Sequence, residues 1–415
     1  MSRTPASLRV LAIHRYYWPD TPPYATILRS IVEQWHQDGH RVDVLSSQPS
    51  YKPESAPQRR ASVETVDHAR VRRVSMQSDR SGKLRRLFNV AWFPLIVGLR
   101  VLFGPKRDVV MCSTAPPVLL GMAVSIAARL RGSRFIYHCM DLHPEIGALS
   151  GEFANPFVYR LMARLDLATC RRAESIVVLS EDMRGALLAR DPRLAARIVV
   201  INNFDLPDFD GVQQTTPVAS TPDRLRIAFT GNIGRFQGLE TITQAVLSDS
   251  PELNGIELVF MGEGAAKGAL QALVNSAPAD RRPRVAFVPH GSSAQARALL
   301  GTADVGLVSL TPKVIGFAFP SKTATYLSAG LPLLVAVERD SELANLVVDE
   351  RLGWHLPTDD ARAIEQRLVA VVEARAELDA MSQRARQVWE RQFAASVVLP
   401  RWSELLAEHR DGNLA

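Results

Sequence analysis

The chain has 415 residues, 47% of them hydrophobic, and carries a formal net charge of +6 at pH 7. This length exceeds what one hydrophobic core usually organises, so two globular domains are expected, and the lack of a helix-turn-helix, zinc-finger or aromatic RNA-binding motif argues against a nucleic-acid partner. Three widely spaced cysteines (Cys112, Cys139 and Cys170) and an N-terminus without the apolar core of a signal peptide predict a cytoplasmic protein with neither a disulfide framework nor a zinc site.

The first half of the chain alternates apolar strands with helices. Strands are predicted over residues 8–13, 41–46, 108–112, 135–138, 175–179 and 197–201. A helix is predicted from Ala25 to Asp38, where apolar residues recur at helical spacing. This alternation is typical of a parallel sheet with helices on both faces. We therefore predict a Rossmann-like domain over residues 1–204 and a polar linker over residues 205–222.

Two segments of the first half are candidates for surface contacts. Basic residues crowd one of them: Arg59, Arg60, Arg70, Arg72, Arg73, Arg80, Lys83, Arg85 and Arg86. Such a run usually lies on a solvated face and less often binds anionic lipid or nucleic acid. The other, residues 84–103, is apolar but interrupted by a proline and an arginine, so a bilayer span is not predicted. We favour a helix in the domain core over a helix in the membrane interface with Phe88, Trp92 and Phe93 inserted.

The second half repeats the alternation. Its predicted strands span residues 225–230, 256–260, 284–287, 303–307 and 331–337, and helices are predicted over residues 359–374, 376–391 and 396–410. We predict a second Rossmann-like domain over residues 223–392, followed over residues 393–415 by a C-terminal helix that can cross back to the N-terminal domain. Two doubly wound α/β domains of this kind bind a ligand in a cleft between them, at the carboxyl ends of the strands.

Four loops that follow successive strands of the second half could bind a phosphate. They span residues 230–240, 261–267, 288–291 and 315–322. In the first, Gly231 and Gly234 allow close backbone approach and Arg235 can donate to a diphosphate. In the last, a helix begins near Lys322, and its free N–H groups favour an anion. None of the loops has the G-x-G-x-x-G spacing, which argues against a nicotinamide cofactor.

One loop of the first half, residues 137–147, gathers polar side chains after a predicted strand. They are His138, Asp141, His143 and Glu145. The spacing differs from H-E-x-x-H, so we favour a carboxylate that orients or deprotonates an acceptor over a metal site. Asp20, in the loop after the first strand, is expected to face the same cleft.

Together these motifs resemble those of the bacterial retaining glycosyltransferases of family 4, which have the GT-B fold, and more narrowly the colanic-acid and capsule-type members. The matching segments are Tyr16-Tyr-Trp-Pro-Asp20, Gly39-His-Arg-Val-Asp-Val44, Asp141-Leu-His-Pro-Glu145, Gly231-Asn-Ile-Gly-Arg-Phe-Gln-Gly-Leu-Glu240, Met261-Gly-Glu-Gly264, Pro320-Ser-Lys322, Tyr326 and Gly330-Leu-Pro332. They extend over nearly the whole chain in the family's order.

The resemblance implies that the second domain binds a nucleotide-diphosphate sugar, with a UDP-sugar favoured, and that neither a metal nor another cofactor is needed. The donor-binding residues would be Gly231, Asn232, Ile233, Gly234, Gly262, Glu263, Gly264, His290, Pro320, Ser321, Tyr326 and Glu342. The acceptor-binding residues would be Asp20, Tyr24, His143 and Glu145 in the first domain. Arg235 and Lys322 would stabilise the leaving diphosphate, and Asp141 would orient or deprotonate the acceptor hydroxyl.

Some positions depart from the family pattern. They are Phe317 and Thr325 in place of two glutamates eight residues apart, Pro22-Pro23-Tyr24-Ala25 in place of a loop with a glycine pair, and Gln237 in place of a basic residue. Glu338 or Glu342 is the candidate to take over the contacts that the two glutamates make with the ribose and the sugar.

We therefore predict a glycosyltransferase that moves a sugar from a nucleotide-diphosphate donor to a lipid-linked glycan acceptor in cell-surface polysaccharide or glycolipid assembly, in peripheral contact with the inner face of the cell membrane. One alternative is a nucleotide-sugar epimerase of the same fold, which should need paired carboxylates around the sugar. Another is a non-catalytic partner that scaffolds a glycan-assembly complex, which should bind the donor without turnover.

Overall fold

The computed structural model of the protein describes residues 7–20, 22–50, 59–76, 83–151, 153–205 and 223–411. Contacts divide the chain into two compact units. Unit 1 comprises the described residues through 205, residues 317–319 and the described residues from 395 onward, and unit 2 comprises residues 223–316 and 320–394. The predicted linker lies almost wholly outside the described residues.

Unit 1 contains a sheet of eight strands within the ranges just given. The strands are β1 (Arg9–Ile13), β2 (Arg41–Ser47), β3 (Val63–Val66), β4 (Ala69–Val74), β5 (Val109–Ser113), β6 (Arg134–His138), β7 (Ser175–Val178) and β8 (Ile198–Val200). They are arranged in the order β3-β4-β2-β1-β5-β6-β7-β8, and only β3 and β4 pair antiparallel. The helices are α1 (Pro23–Gln37), α2 (Lys83–Phe103), α3 (Leu119–Leu130), α4 (Glu145–Leu149), α5 (Pro156–Arg172) and α6 (Glu181–Arg190).

Unit 2 contains a parallel sheet of six described strands. They are β9 (Leu225–Thr230), β10 (Ile256–Met261), β11 (Val285–Val288), β12 (Val305–Ser309), β13 (Leu333–Ala336) and β14 (Gly353–Leu356), in the order β11-β10-β9-β12-β13-β14. The helices are α7 (Leu239–Val246), α8 (Lys267–Ser276), α9 (Ser293–Leu300), α10 (Lys322–Ser328), α11 (Glu342–Asp349), α12 (Ala361–Glu373) and α13 (Leu378–Val388). The prediction of two Rossmann-like α/β domains is confirmed.

The last helix of the chain, α14 (Ala395–Asp411), belongs to unit 1 and packs against α1. The indole N–H of Trp35 donates to the carbonyl oxygen of Trp402 at 3.1 Å, and the two rings meet edge to face at 6.0 Å. Both side chains are fully buried in the core of unit 1. Ser175 and His409 share a hydrogen bond of 3.0 Å, so α14 is also held to β7.

Among the described residues of the basic run, Arg59 and Arg70 are exposed, as expected for a solvated face, whereas Arg73 is buried. Residues 69–74 form β4, and Arg73 on that strand is only 1% exposed. Its guanidinium donates to the Glu64 carboxylate at 2.6 Å and to the carbonyl oxygens of Ser47 and Trp18. The three acceptors compensate the buried charge of Arg73, and Glu64 links β4 to β3 in a hairpin. The many arginines of this segment had suggested a solvated surface instead.

Helix α2 has two different faces. Phe93, Val97 and Val101 are buried, as expected for a core helix, which confirms that interpretation for the inner face. Phe93 cannot also insert into a membrane, so that part of the interfacial alternative is wrong. The outer face exposes large apolar residues such as Leu95 and Phe103. None of the described helices has the length and apolarity required to span a bilayer.

Candidate active site

Two glycine loops of unit 2 are joined to each other by backbone hydrogen bonds. The N–H of Gly231 donates to Met261 at 2.9 Å, and the N–H of Ile233 donates to Glu263 at 2.8 Å. A Cβ on Gly262 would lie 1.8 Å from the carbonyl oxygen of Gly231, and one on Gly264 would lie 2.2 Å from that of Ile233. Only glycine allows this approach, so the loops after β9 and β10 form one rigid backbone surface.

Lys322 lies against this surface. It is the first residue of α10, and the position of a Cβ on Gly231 would be 3.5 Å from its Cε and 3.7 Å from its Nζ. The ammonium also lies 4.5 Å from the ring centroid of Phe229, a cation–π contact. Burial lowers the pKa of Lys322 to about 8. No carboxylate of the described chain forms an ion pair with it, so the site holds a partly buried cation without a counter-ion.

Tyr326, one turn further along α10, holds this helix against β9. Its hydroxyl accepts a hydrogen bond of 2.9 Å from the N–H of Thr230, and its ring fills the space beside Gly306, where a Cβ would lie 2.5 Å from the ring. The side chain is fully buried, and burial raises its pKa to about 12. Tyr326 therefore positions the end of β9, immediately before the glycine loop.

The remaining predicted donor residues lie at the surface or in other contacts. Arg235, in a short 3-10 turn, is exposed and forms no ion pair within the described ranges. Glu263 is 63% exposed and pairs with Lys267 at 2.6 Å. Asn232 lies beside Gly234 in the loop after β9, whereas Pro320 and Ser321 come immediately before α10. His290 is exposed after β11, the neighbour of β10, whereas Glu342 begins α11 after β13, two strands from β9.

The structure brings the glycine loops, Lys322 and Tyr326 together at the carboxyl ends of β9, β10 and β12. At the positions that depart from the family, Phe317 and Thr325 are both partly buried, and neither side chain can carry a negative charge. Glu338 accepts a hydrogen bond from the N–H of Lys313, while its other carboxylate oxygen is buried without a partner in the described chain.

In unit 1, Tyr24 belongs to a buried network at the carboxyl ends of β1, β5 and β6. Its hydroxyl lies 2.9 Å from Nδ1 of His138, and its ring meets that of His14 edge to face at 4.5 Å. His14 in turn lies 2.5 Å from the hydroxyl of Ser113. Burial lowers the pKa of both histidines to about 3, so both are neutral at pH 7. Sequence reasoning missed His14 and Ser113, although their place at the ends of apolar strands was a usable signal.

Asp141 follows β6 and is the one predicted site carboxylate in unit 1 whose oxygens accept no hydrogen bond from the described residues. Its backbone forms an isolated bridge with Ala318, and the next N–H, of Leu142, donates to Phe317 at 2.8 Å. Burial raises the pKa of Asp141 to about 6. A carboxylate with these properties can accept a proton near neutral pH.

The other predicted acceptor residues are held in contacts of unit 1. Glu145 accepts a hydrogen bond from Arg190, which also donates to Asp166 at 2.7 Å. Asp20 is buried and accepts from the N–H of Ser50 at 3.1 Å. His143 is buried, and burial and Arg190 lower its pKa to about 4. The partner of Glu145 is 45 residues away in the sequence, so no local pattern could have revealed it.

Residues 24–203 match the family model of the glycosyl transferase 4-like domain. The chain is similar to the probable glycosyltransferase WbjE of Pseudomonas aeruginosa, at 25% identity over 306 residues that cover 72% of this chain and 74% of WbjE. It is also similar to the putative colanic acid biosynthesis glycosyl transferase WcaI of Escherichia coli (strain K12), at 22% identity over 360 residues, 82% of this chain and 86% of WcaI.

Among solved structures, HepE of Anabaena in complex with UDP-glucose resembles the fold with a TM-score of 0.68 and 15% identity, covering 97% of this chain and all of that chain. The sequence motifs, the two Rossmann-like sheets and the relatives therefore agree. The chain is thus a glycosyltransferase of the GT-B fold, and its residues 24–203 match a glycosyl transferase 4-like domain.

Proposed function

We propose that this glycosyltransferase transfers a sugar from a UDP-sugar to a lipid-linked glycan acceptor in cell-surface polysaccharide or glycolipid assembly. The observation that carries the proposal is the partly buried ammonium of Lys322, which lies against Gly231 without a carboxylate partner in the described chain. An anion that binds there would offset the desolvation cost of this cation, and a diphosphate is such an anion. HepE, which shares the fold, is described in complex with UDP-glucose, which supports the choice of uridine.

In the proposed reaction, unit 2 binds the donor and stabilises its leaving group. The bond between the anomeric carbon and the diphosphate oxygen breaks, and negative charge develops on that oxygen. Lys322 would donate a charge-assisted hydrogen bond to the diphosphate, and Arg235, which is exposed, would add a second cation. The fixed backbone around Gly231 would position the diphosphate without reorganising during the reaction.

Unit 1 would supply the acceptor side of the reaction. A bond forms between the acceptor oxygen and the anomeric carbon, and the proton of that hydroxyl passes to the Asp141 carboxylate. A pKa of about 6 leaves Asp141 deprotonated at neutral pH yet basic enough to accept the proton. Retention of the anomeric configuration and a membrane-bound acceptor complete the proposal, and both are supported by the resemblance to family 4.

The test is a thermal-shift and calorimetric screen of the purified protein against UDP, GDP, dTDP, CMP, uridine and NAD. A ligand that binds only the folded state stabilises it, by about 2.7 kcal/mol at a hundredfold excess over its Kd. The melting temperature therefore rises. We expect UDP to raise it and uridine, which lacks the diphosphate, not to do so. A shift with none of the nucleoside diphosphates would contradict the donor assignment, and UDP binding without transfer to any glycan would favour the scaffold alternative.

A further inference from the structure

A pocket lined by arginines lies beneath the last turn of α2 in unit 1, and none of the donor or acceptor residues described above lines it. It is small, with a cavity volume of about 30 Å³, and it opens to solvent. Its charged lining residues come from four separate segments: Asp43 on β2, Arg72 on β4, Arg100 on α2 and Arg107 before β5. Three guanidinium groups and one carboxylate therefore surround the same space.

The positive charge of this pocket is only partly compensated. Arg107 forms an ion pair with Asp43. Arg72 makes neither a hydrogen bond nor an ion pair with the described residues, and its Nε is buried. Arg100 donates only to the carbonyl oxygen of Arg73, at 3.5 Å. Burial and the proximity of Arg72 lower the pKa of Arg100, so the two guanidinium groups repel each other. An anion in the pocket would relieve that repulsion.

The outer face of α2 continues the pocket as an apolar stripe. Phe88, Trp92, Leu95, Leu99 and Phe103 are spaced by three or four residues and so share one side of the helix. Phe88 stacks on Trp92, and Leu95, Leu99 and Phe103 are 53%, 42% and 79% exposed. Leu99 and Phe103 flank Arg100, so the stripe ends at the mouth of the arginine pocket.

We propose that the arginine pocket binds the phosphate group of an anionic phospholipid while the α2 stripe lies in the interface of the same leaflet. The planar guanidinium fork matches the oxygen geometry of a phosphate. Basic residues beside an exposed apolar helix face are what an anionic membrane surface attracts, whereas a soluble phosphate would gain nothing from the stripe. This proposal rests on the proposed function in one respect: a lipid-linked acceptor would require the protein to be at the membrane. The residues of the arginine pocket differ from those that would bind the donor.

The experiment measures co-sedimentation of the full chain with vesicles of phosphatidylcholine, with or without about one-third phosphatidylglycerol. Each basic residue at an anionic surface strengthens binding about fivefold, so Arg72→Gln/Arg100→Gln should weaken binding to the anionic vesicles roughly 25-fold. Arg72→Lys/Arg100→Lys should retain most of it. The matched control is Arg184→Gln/Arg193→Gln, which removes the charges of a partly buried and an exposed arginine of unit 1 outside the pocket and should change little.

Two further arms test the lipid and the apolar contact. Leu99→Ser/Phe103→Ser should weaken binding to anionic vesicles while the arginines remain. Salt of about 1 M, which shortens the Debye length to ~3 Å, should weaken the electrostatic part. The proposal is overturned if the arginine double variant binds anionic vesicles like the wild type. Binding of soluble glycerol phosphate in the pocket without vesicle binding overturns the lipid assignment.

UDP binding by the same variants separates this proposal from the proposed function. Retained UDP binding and a melting temperature no lower than that of the wild type in Arg72→Gln/Arg100→Gln show that its vesicle defect is not a folding defect. If the wild type binds anionic vesicles but not UDP, the donor assignment fails and the lipid site stands.

Discussion

Replacing Lys322 by methionine should stabilise the protein and weaken donor binding at the same time. Burial lowers the pKa of this lysine from 10.5 to about 8, which means that the charged form is destabilised in the folded state. A shift of that size corresponds to about 3 kcal/mol, and partial solvent contact of the side chain reduces it to about 1–3 kcal/mol. Methionine keeps the volume and the contact with the Phe229 ring but carries no charge.

The sign of the effect depends on pH. Because the folded pKa lies below the unfolded one, the cost of the charge is fully present below about pH 8 and is relieved as the pH rises toward 10.5. At pH 7, Lys322→Met should therefore raise the melting temperature of unit 2, by about 2–4 °C for each kcal/mol. The difference from the wild type should shrink at higher pH.

UDP binding should move in the opposite direction. Loss of a charge-assisted hydrogen bond to the diphosphate costs about 1.5–3 kcal/mol, so the Kd measured by calorimetry should rise about 10- to 150-fold. Lys313→Met, at an exposed lysine of the segment between β12 and α10, is the matched control and should change neither quantity. A lower melting temperature for Lys322→Met together with unchanged UDP affinity would refute the reasoning.

Three other substitutions test separate parts of the structure. Asp141→Asn should lower the transfer rate about 10²- to 10⁴-fold and abolish the rise in rate through pH 6 that its raised pKa predicts, while UDP binding persists; a variant that keeps the rise would contradict the assignment. Gly262→Ala places a Cβ 1.8 Å from a carbonyl oxygen and should abolish UDP binding, whereas Gly268→Ala, with nothing within 4 Å, should leave UDP binding intact in the same titration. Trp402→Ala should cost unit 1 about 3–5 kcal/mol in denaturant unfolding, and a loss below about 1 kcal/mol would argue against the packing of α14 on α1.

The apolar strands were predictable from the sequence because both faces of a parallel sheet are buried, and each predicted apolar run lies on or beside a strand. The hairpin of β3 and β4 was not predicted, since its arginines obscure the alternation and two acceptors of Arg73, the carbonyl oxygens of Ser47 and Trp18, lie outside the hairpin. The strand β14 was also missed, because its four residues include a glycine and a histidine.

In the candidate site, too, the local sequence predicted some features, and contacts between distant residues determined the others. Lys322 and the glycine loops follow strands, so topology alone placed them on one edge of the sheet. What the sequence could not reveal is which atoms meet: Gly262 is required by the backbone of Gly231. Likewise, the hydrogen bond that Arg190 donates to the Glu145 carboxylate depends on packing between segments far apart in the sequence. Sequence spacing predicts which residues lie at the carboxyl edge of the sheet. Contacts with residues far along the chain determine which of those side chains remain available to bind a substrate.

The packing of Trp402 against Trp35 has a consequence for synthesis on the ribosome. The apolar side of α1 emerges early, but Trp402 of α14, which covers it, follows Trp35 by 367 residues. At about 5–20 residues per second this corresponds to a delay of roughly 20–70 s, during which unit 2 can fold. Until α14 is synthesised, nascent unit 1 exposes an apolar groove on α1 that chaperones can recognise. The last helix to leave the ribosome therefore completes the unit whose synthesis began first.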